Sequence, residues 1–149
     1  MSEVARVAHT LRVTTTSDPK LMAELAGVLA SGPELRLAVL FGSAATGRSH
    51  AASDVDIGLI FAREESLARE LDLQLALERV VGRSVDLVRL DEASTLVRWQ
   101  VAVHGVPICA APHEWSRFRA RAASEYADFR PAFEAAAARF QRRLLEGRR

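Results

Sequence analysis

The residues that could do chemistry are concentrated in a Gly-Ser turn and a nearby pair of aspartates. Gly42 and Ser43 directly follow the apolar run 35–41, and after a ten-residue spacer Asp54 and Asp56 introduce a second apolar run. Such a turn offers backbone N–H groups and a hydroxyl to phosphate oxygens, and carboxylates hold the cation that offsets the phosphate charge. The pattern therefore predicts a site for a nucleoside triphosphate bound through magnesium.

Three aspartates are predicted to act together. Because Asp54 and Asp56 are two residues apart in a predicted strand, their side chains project to the same side. Adjacent carboxylates raise each other's proton affinity unless a cation lies between them, and Mg²⁺ takes oxygen ligands alongside substrate phosphates. Asp86 lies in the apolar run 85–88, where burial of a carboxylate is costly without a partner. We expect Asp86 to stand beside the pair, share a metal ion and help take the proton of an acceptor hydroxyl.

The turn itself has further residues suited to phosphate. Gly42 lets the backbone approach a phosphate closely, and Ser43 adds a hydroxyl donor. A helical turn starting there would add free N–H groups. Arg48 could reach a phosphate, although a solvated loop arginine is an equally good interpretation. A Gly-Ser turn or an Asp-x-Asp pair is common by itself, so the prediction depends on their combination at strand ends.

These residues are positioned by a predicted alternation of helices and strands. Apolar runs predict strands, and helical periodicity with capping residues predicts helices. A short loop joins the first two strands, which favours an antiparallel pair. Pro131 is expected to divide the last helical region into two helices or one kinked helix. The predicted strands are 35–41, 55–61, 85–90 and 106–109, and the predicted helices begin at Ser17 or Asp18 and cover about 19–31, 64–81, 91–104 and 112–145.

This order predicts an α+β fold with a mixed sheet and helices packed on it. The fourth strand is expected at an edge of the sheet, because Pro107 cannot donate to a ladder. In the helix 64–81, a broad apolar face is expected to pack on the core, formed by Leu67, Leu71, Leu75 and Leu77 with Val80 and Val81. Near the N-terminus, Val13–Thr16 has strand propensity without a predicted partner.

Length and composition fit one soluble domain. The 149 residues are expected to form a single domain, 1–149, with a core at about 35–110 and C-terminal helices over 112–147. The net charge of +1 gives no general case for nucleic-acid or membrane binding. The single cysteine excludes an internal disulfide and suits a reducing compartment. Without a membrane-length apolar stretch or a signal peptide, we expect a cytoplasmic protein.

The motifs resemble those of a known family. The segments Gly42–Gly47, Ser53–Ile57 and Val85–Val88 resemble the minimal nucleotidyltransferases of the polymerase-β superfamily, and the likeness extends over about 35–109. The resemblance implies a polymerase-β-like fold with the site on one edge of a mixed sheet. It also implies magnesium on Asp54, Asp56 and Asp86, and ATP near Gly42 and Ser43. The reaction would move AMP from ATP to a hydroxyl acceptor.

Many small members of this family resemble the antitoxin half of HEPN–MNT toxin–antitoxin pairs, and the short length of this chain favours that branch. In those pairs the toxin is an RNase and the transferase adenylylates it on tyrosine. The resemblance thus implies a HEPN-type toxin as partner and no direct nucleic-acid binding. Two alternatives stay open. The acceptor could be a small molecule such as an aminoglycoside, or the chain could be a non-catalytic antitoxin that occludes its toxin.

The C-terminal region is basic and rich in aromatic residues. Residues 112–149 hold nine arginines and five acidic residues, a net charge of +4. One interpretation is helices packed on the sheet with their arginines in solvent. The other is a face that docks a partner protein, because aromatic residues and arginine are enriched in interfaces. The aromatic residues are Trp115, Phe118, Tyr126, Phe129, Phe133 and Phe140.

Overall fold

The computed structural model describes residues 18–48, 50 and 53–147. The predictions for Val13–Thr16 and for Ser17 as a helix cap lie outside these residues. The elements follow the predicted order and confirm the α+β class. They are α1 (Pro19–Ser31), β1 (Leu35–Phe41), α2 (Ser43–Thr46), β2 (Val55–Phe61), α3 (Leu67–Val81), β3 (Val85–Arg89), α4 (Thr95–His104), β4 (Val106–Ala110) and α5 (Glu114–Glu146).

The four strands form one mixed sheet in the order β3-β2-β1-β4. β1 is antiparallel to both β2 and β4, which confirms the predicted antiparallel pair and the predicted edge position of β4. β2 and β3 are parallel, and α3 makes the crossover between them. The two edge strands are thus β3, which carries Asp86, and β4, which carries Pro107.

Helices cover both faces of the sheet. On one face, Leu40, Ile57 and Val85 pack into a core with α1 and α3. On the other face, Leu37 and Leu90 belong to a second core with α4 and α5. Because side chains alternate along a strand, residue 56 of β2 points to the face that α4 and α5 cover. In the part of the chain that the structure describes, no helix is both long and apolar enough to span a membrane.

Two helices begin later than predicted because serine hydroxyls cap them. The Ser66 side chain accepts a hydrogen bond from the backbone N–H of Arg69, so α3 starts at Leu67 rather than at residue 64. The Ser94 side chain caps α4 in the same way, so this helix starts at Thr95 and not at residue 91. At α1 the predicted cap is confirmed, with Asp18 accepting from the N–H of Lys20.

The predicted core face of α3 is partly wrong. This helix buries Leu73 and Leu77, whereas Leu67, Leu71 and Leu75 are exposed. Leucines occupy two stripes of the helix, and only one stripe faces the sheet and α1. The sequence pattern did not distinguish between them.

Of the two alternatives predicted at Pro131, a division into two helices is wrong and a single helix is observed, because α5 runs over 33 residues with Pro131 inside it. Proline removes one N–H donor from the helix ladder. Ala127, whose carbonyl would accept that hydrogen bond, is exposed, so water can take the place of the donor. From Pro131 to Gly147 every residue is exposed, so the distal half of α5 extends beyond the two cores.

Candidate active site

The Gly-Ser turn has a backbone conformation that requires glycine. β1 ends at Phe41, and Gly42 then adopts φ 69° and ψ −152° before α2 begins at Ser43. This region of backbone space is almost restricted to glycine. Buried Ala44 and Ala45 anchor α2 to the domain. The Ala45 N–H donates to the Gly42 carbonyl at 3.2 Å, whereas the two N–H groups before it, at the start of the helix, are available to an anion at this turn.

Asp56 lies directly against this turn. The register of β1 and β2 pairs Phe41 with Asp56. A Cβ atom at position 42 would stand 3.2 Å from the Asp56 carboxyl carbon and would overlap Oδ2. The Asp56 carboxylate therefore occupies the space that a side chain at position 42 would need. The turn and the acid are packed directly against each other.

The strand register brings the three aspartates to one end of the sheet. Asp56 and Asp86 are paired residues in the parallel register of β2 and β3. Asp54 was predicted to lie in the same strand as Asp56, but it lies one residue before the start of β2. Asp86 is exposed, which corrects the expectation of a buried carboxylate, because β3 is an edge strand. Asp54 is exposed as well, and Asp56 is half-buried between them.

The electrostatics of Asp56 reflect this clustering. Burial raises the pKa of Asp56, and the negative charges of Asp86 and Asp54 raise it further. A cation placed among the three groups would favour the ionised form. In the observed side-chain conformations, no group of three Asp, Glu, His or Cys residues within the described ranges is arranged to bind one metal ion. Side-chain rotation would be needed to bring all three carboxylates onto one ion, whereas the backbones are already adjacent.

The remaining predicted residues lie in or after the turn. Ser43 is half-buried, and its carbonyl accepts a hydrogen bond from the backbone N–H of Arg48 at 3.1 Å. The Arg48 side chain is exposed and forms no ion pair with the acidic residues that the structure describes. The structure thus places Arg48 in the loop that leaves the turn, in reach of solvent.

One residue near the site was missed by the sequence analysis. Arg83, just before β3, donates from Nη1 to the backbone carbonyl of His50 at 3.1 Å. It thereby connects the spacer between the Gly-Ser turn and the aspartates to the start of the strand that carries Asp86. A basic residue three positions before that aspartate was the available signal.

A large cavity on the domain does not coincide with the three aspartates. A cavity of about 700 Å³ is lined by the start of α1, the end of α3 and the turn after α2, and includes Lys20, Glu24 and Gly47. None of the three aspartates lines it. At the acidic edge of the sheet, Asp54 and Asp86 are exposed to solvent.

Comparisons with known proteins agree with this geometry. Residues 23–114 match the family model described as polymerase beta, nucleotidyltransferase. The chain is 32% identical over 94 residues to the protein adenylyltransferase MntA of Shewanella oneidensis, a match that covers 63% of this chain and 68% of MntA.

Two solved structures have the same fold. A chain in a crystal structure of a toxin–antitoxin with AMP-PNP superposes with a TM-score of 0.72 at 26% identity, covering 80% of this chain and 98% of that one. A chain from the complex of a tri-AMPylated Shewanella oneidensis HEPN toxin with an MNT antitoxin gives a TM-score of 0.66. At 24% identity, with 81% of this chain and 96% of that chain covered, this second likeness supports the fold.

The family match covers more than half of the chain, and it includes the Gly-Ser turn, all three aspartates and the whole sheet. The MntA match is a second and separate sequence relationship with a nucleotidyltransferase. The predicted fold and enzyme class are therefore confirmed, and the chain belongs to the polymerase beta nucleotidyltransferase family.

Proposed function

We propose that this chain is the antitoxin of a toxin–antitoxin pair, and that in the cytoplasm it transfers AMP from ATP to a tyrosine hydroxyl of a HEPN toxin. One observation carries the proposal. The Asp56 carboxylate packs against Gly42 of a phosphate-type turn, and Asp86 lies beside it on the next strand. The relationship to a protein adenylyltransferase supports a protein acceptor, and the motif resemblance supports the HEPN class.

The turn and the three aspartates have distinct roles in the proposed reaction. Gly42, Ser43 and the first N–H groups of α2 hold the triphosphate of ATP, and Arg48 contributes a positive charge from the loop. Asp54, Asp56 and Asp86 hold magnesium. The fit rests on an all-oxygen donor set and on an Asp56 whose pKa is raised by burial and by its two acidic neighbours. When bound, magnesium offsets the charge of the phosphates and of the departing pyrophosphate.

The reaction is an in-line displacement at phosphorus. The acceptor hydroxyl oxygen forms a bond to the α-phosphorus of ATP, and the bond from that phosphorus to the pyrophosphate oxygen breaks. Pyrophosphate leaves with the electron pair, and the hydroxyl proton passes to the Asp86 carboxylate. Asp86 suits this role because it is exposed on an edge strand, where a side chain of another protein can approach it.

The test is label transfer from ATP labelled at the α-phosphate. The full chain, magnesium and a HEPN toxin of the same source are incubated together, with an Asp54→Asn, Asp56→Asn variant in parallel. An Asp72→Asn, Asp91→Asn variant is the matched control, because both residues are exposed and lie outside the site. We expect label on the toxin with wild type and control only, and mass spectrometry should find AMP on tyrosine.

Other outcomes would contradict the proposal in distinct ways. Toxin neutralisation by the Asp54→Asn, Asp56→Asn variant at full strength would support occlusion without catalysis. Label in a small-molecule fraction, with none in protein, would favour an acceptor of the aminoglycoside type.

A further inference from the structure

The distal half of α5, Pro131–Glu146, continues a face that the domain uses for its own core. Two series of residues spaced eleven apart follow this face, since eleven residues make almost exactly three helical turns. The first is Phe118, Phe129 and Phe140, and the second is Ala122, Phe133 and Leu144. A face with this repeat stays on one side of a straight helix.

Burial along this face decreases steadily toward the C-terminus. Phe118 and Ala122 are buried against the sheet and α4. One repeat later Phe129 is half-buried and Phe133 is 43% exposed, and in the last repeat Phe140 is 63% exposed and Leu144 56%. The apolar pattern therefore continues for about four turns after the domain that it packs against has ended.

Aromatic contacts connect the buried and exposed parts of the face. The rings of Trp99 and Tyr126 stack at 4.6 Å between α4 and α5. Tyr126 is followed by Phe129 at 6.5 Å, and Phe129 by Phe133 at 5.4 Å. The row of rings holds the helix against α4 and leads directly to the exposed apolar residues.

The charges beside the exposed face indicate what could cover it. Among the described residues, Arg139, Arg142 and Arg143 form no ion pair. On the same helix Glu125 is paired with Arg98 and Arg121, and Glu134 with Arg130, whereas within the described residues Asp128 and Glu146 form no ion pair. The distances of the three pairs are 2.7 Å, 3.1 Å and 2.7 Å, respectively.

A second copy that packed its own α5 here would bring only these two free carboxylates to the three arginines. An acidic partner would supply more. RNA would also meet the positive charge, but it gives no reason for an apolar row of Phe133, Phe140 and Leu144 along the same face.

We propose that the distal half of α5 is the docking surface for the toxin, and that its occupant is an amphipathic helix with an apolar stripe flanked by carboxylates. The proposal rests on the proposed function for the identity of the partner. Phe140 and Leu144 enter the partner's apolar stripe, and the three arginines pair with its carboxylates. Docking at this place tethers the toxin to the transferase independently of the contacts that its acceptor tyrosine makes.

The experiment measures affinity for a catalytically inactive HEPN toxin by titration calorimetry, using the full chain. Phe140→Ala, Leu144→Ala should weaken binding at least tenfold. Alanine favours helix and these side chains lie outside both cores, so the variant should fold as wild type does. The matched control is Leu71→Ala, Leu75→Ala, a pair of exposed leucines with the same spacing on α3, 48% and 49% exposed. It should bind as wild type.

A charge variant tests the acidic partner. Arg139→Glu, Arg142→Glu, Arg143→Glu should weaken binding at least tenfold at low salt, and the difference from wild type should shrink as salt rises. Unchanged affinity in both α5 variants would overturn the proposal. The proposal would also fail if wild type were a dimer that dissociates when Phe140 is substituted. It would fail as well if the three arginines bound RNA while their substitution left toxin affinity unchanged.

The same experiment separates this proposal from the proposed function. If wild type binds the toxin through α5 but transfers no AMP to it, the docking surface stands and the catalytic proposal fails. If transfer occurs with equal rates and affinities in wild type and α5 variants, the catalytic proposal stands and the docking surface fails.

Discussion

Replacing Gly42 with alanine should damage the site through two effects that can be separated. The first is backbone strain, because residue 42 has φ 69° and ψ −152°. A non-glycine residue held there costs about 1–3 kcal/mol of stability. The second is a collision, because the new methyl group would overlap Oδ2 of Asp56. We expect the carboxylate to move by about 1 Å, a misplacement that can cost roughly 100-fold in rate.

Gly82→Ala is the matched control for the strain. Gly82 also has positive φ, at 71°, but no atom lies within 4 Å of the Cβ that alanine would add. It caps the end of α3, and neither the proposed phosphate contacts nor the proposed metal ligands include it. This variant should lose about 1–2 kcal/mol of stability and keep the wild-type transfer rate.

The assay pairs urea unfolding with the initial rate of AMP transfer to the toxin, at a temperature where all variants are folded. Gly42→Ala should lose both stability and about 100-fold in rate, and Gly82→Ala should lose stability alone. Equal transfer rates for the two variants would refute the reasoning, because the contact between the turn and Asp56 would then have no part in catalysis.

Three further variants test the site and the scaffold. Asp86→Asn should abolish transfer and leave binding of an ATP analogue with magnesium measurable by calorimetry; loss of binding by the folded variant would contradict the division of roles. Burial alone would raise the pKa of Glu125, but hydrogen bonds and charges from Arg98 and Arg121 outweigh it and hold the pKa below its ordinary 4.5. Glu125→Gln should therefore cost about 1 kcal/mol at neutral pH, and that cost should disappear as pH falls through the folded-state pKa; equal destabilisation at both extremes of pH would oppose this. Gly58→Ala would place a Cβ 2.7 Å from Cδ2 of the buried Leu90, so thermal unfolding should show a loss of about 1–3 kcal/mol, and wild-type stability would mean that the core has room to adjust.

Local signals predicted that the Gly-Ser turn and the aspartates would lie close together. The Gly-Ser turn and the aspartates lie at strand ends, where a few neighbouring residues determine conformation. The connection between β1 and β2 is short for a parallel crossover and favoured the antiparallel pair that is observed, and that pairing places Asp56 beside Gly42. The contact between a carboxylate and a glycine Cα could not be read from the sequence, because it depends on the exact register of the two strands.

The wrong predictions concern packing between residues that are far apart in the sequence. An apolar run such as that around Asp86 is equally consistent with a central and an edge strand, and only the sheet order assigns β3 to an edge. Leu71 and Leu73 lie on the same helix, and only Leu73 is buried, because its side of the helix faces the sheet and α1. Pro131 was expected either to divide α5 or to kink it, and the helix continues through this residue because water can donate to the freed carbonyl of an exposed helix.

The relation of Asp86 to Asp56 depends on packing that lies away from the acids. A shift of one residue between β2 and β3 would turn Asp86 to the opposite face of the sheet. Val85 is fully buried on the α3 side, so such a shift would bring the Asp86 carboxylate into that core at a large desolvation cost. Arg89 holds the other end of β3, with Nε 2.7 Å from Glu70 on α3 and Nη2 2.9 Å from the carbonyl of residue 65. The crossover helix therefore fixes the register that the chemistry requires, and the acids can occupy an exposed edge without losing their alignment.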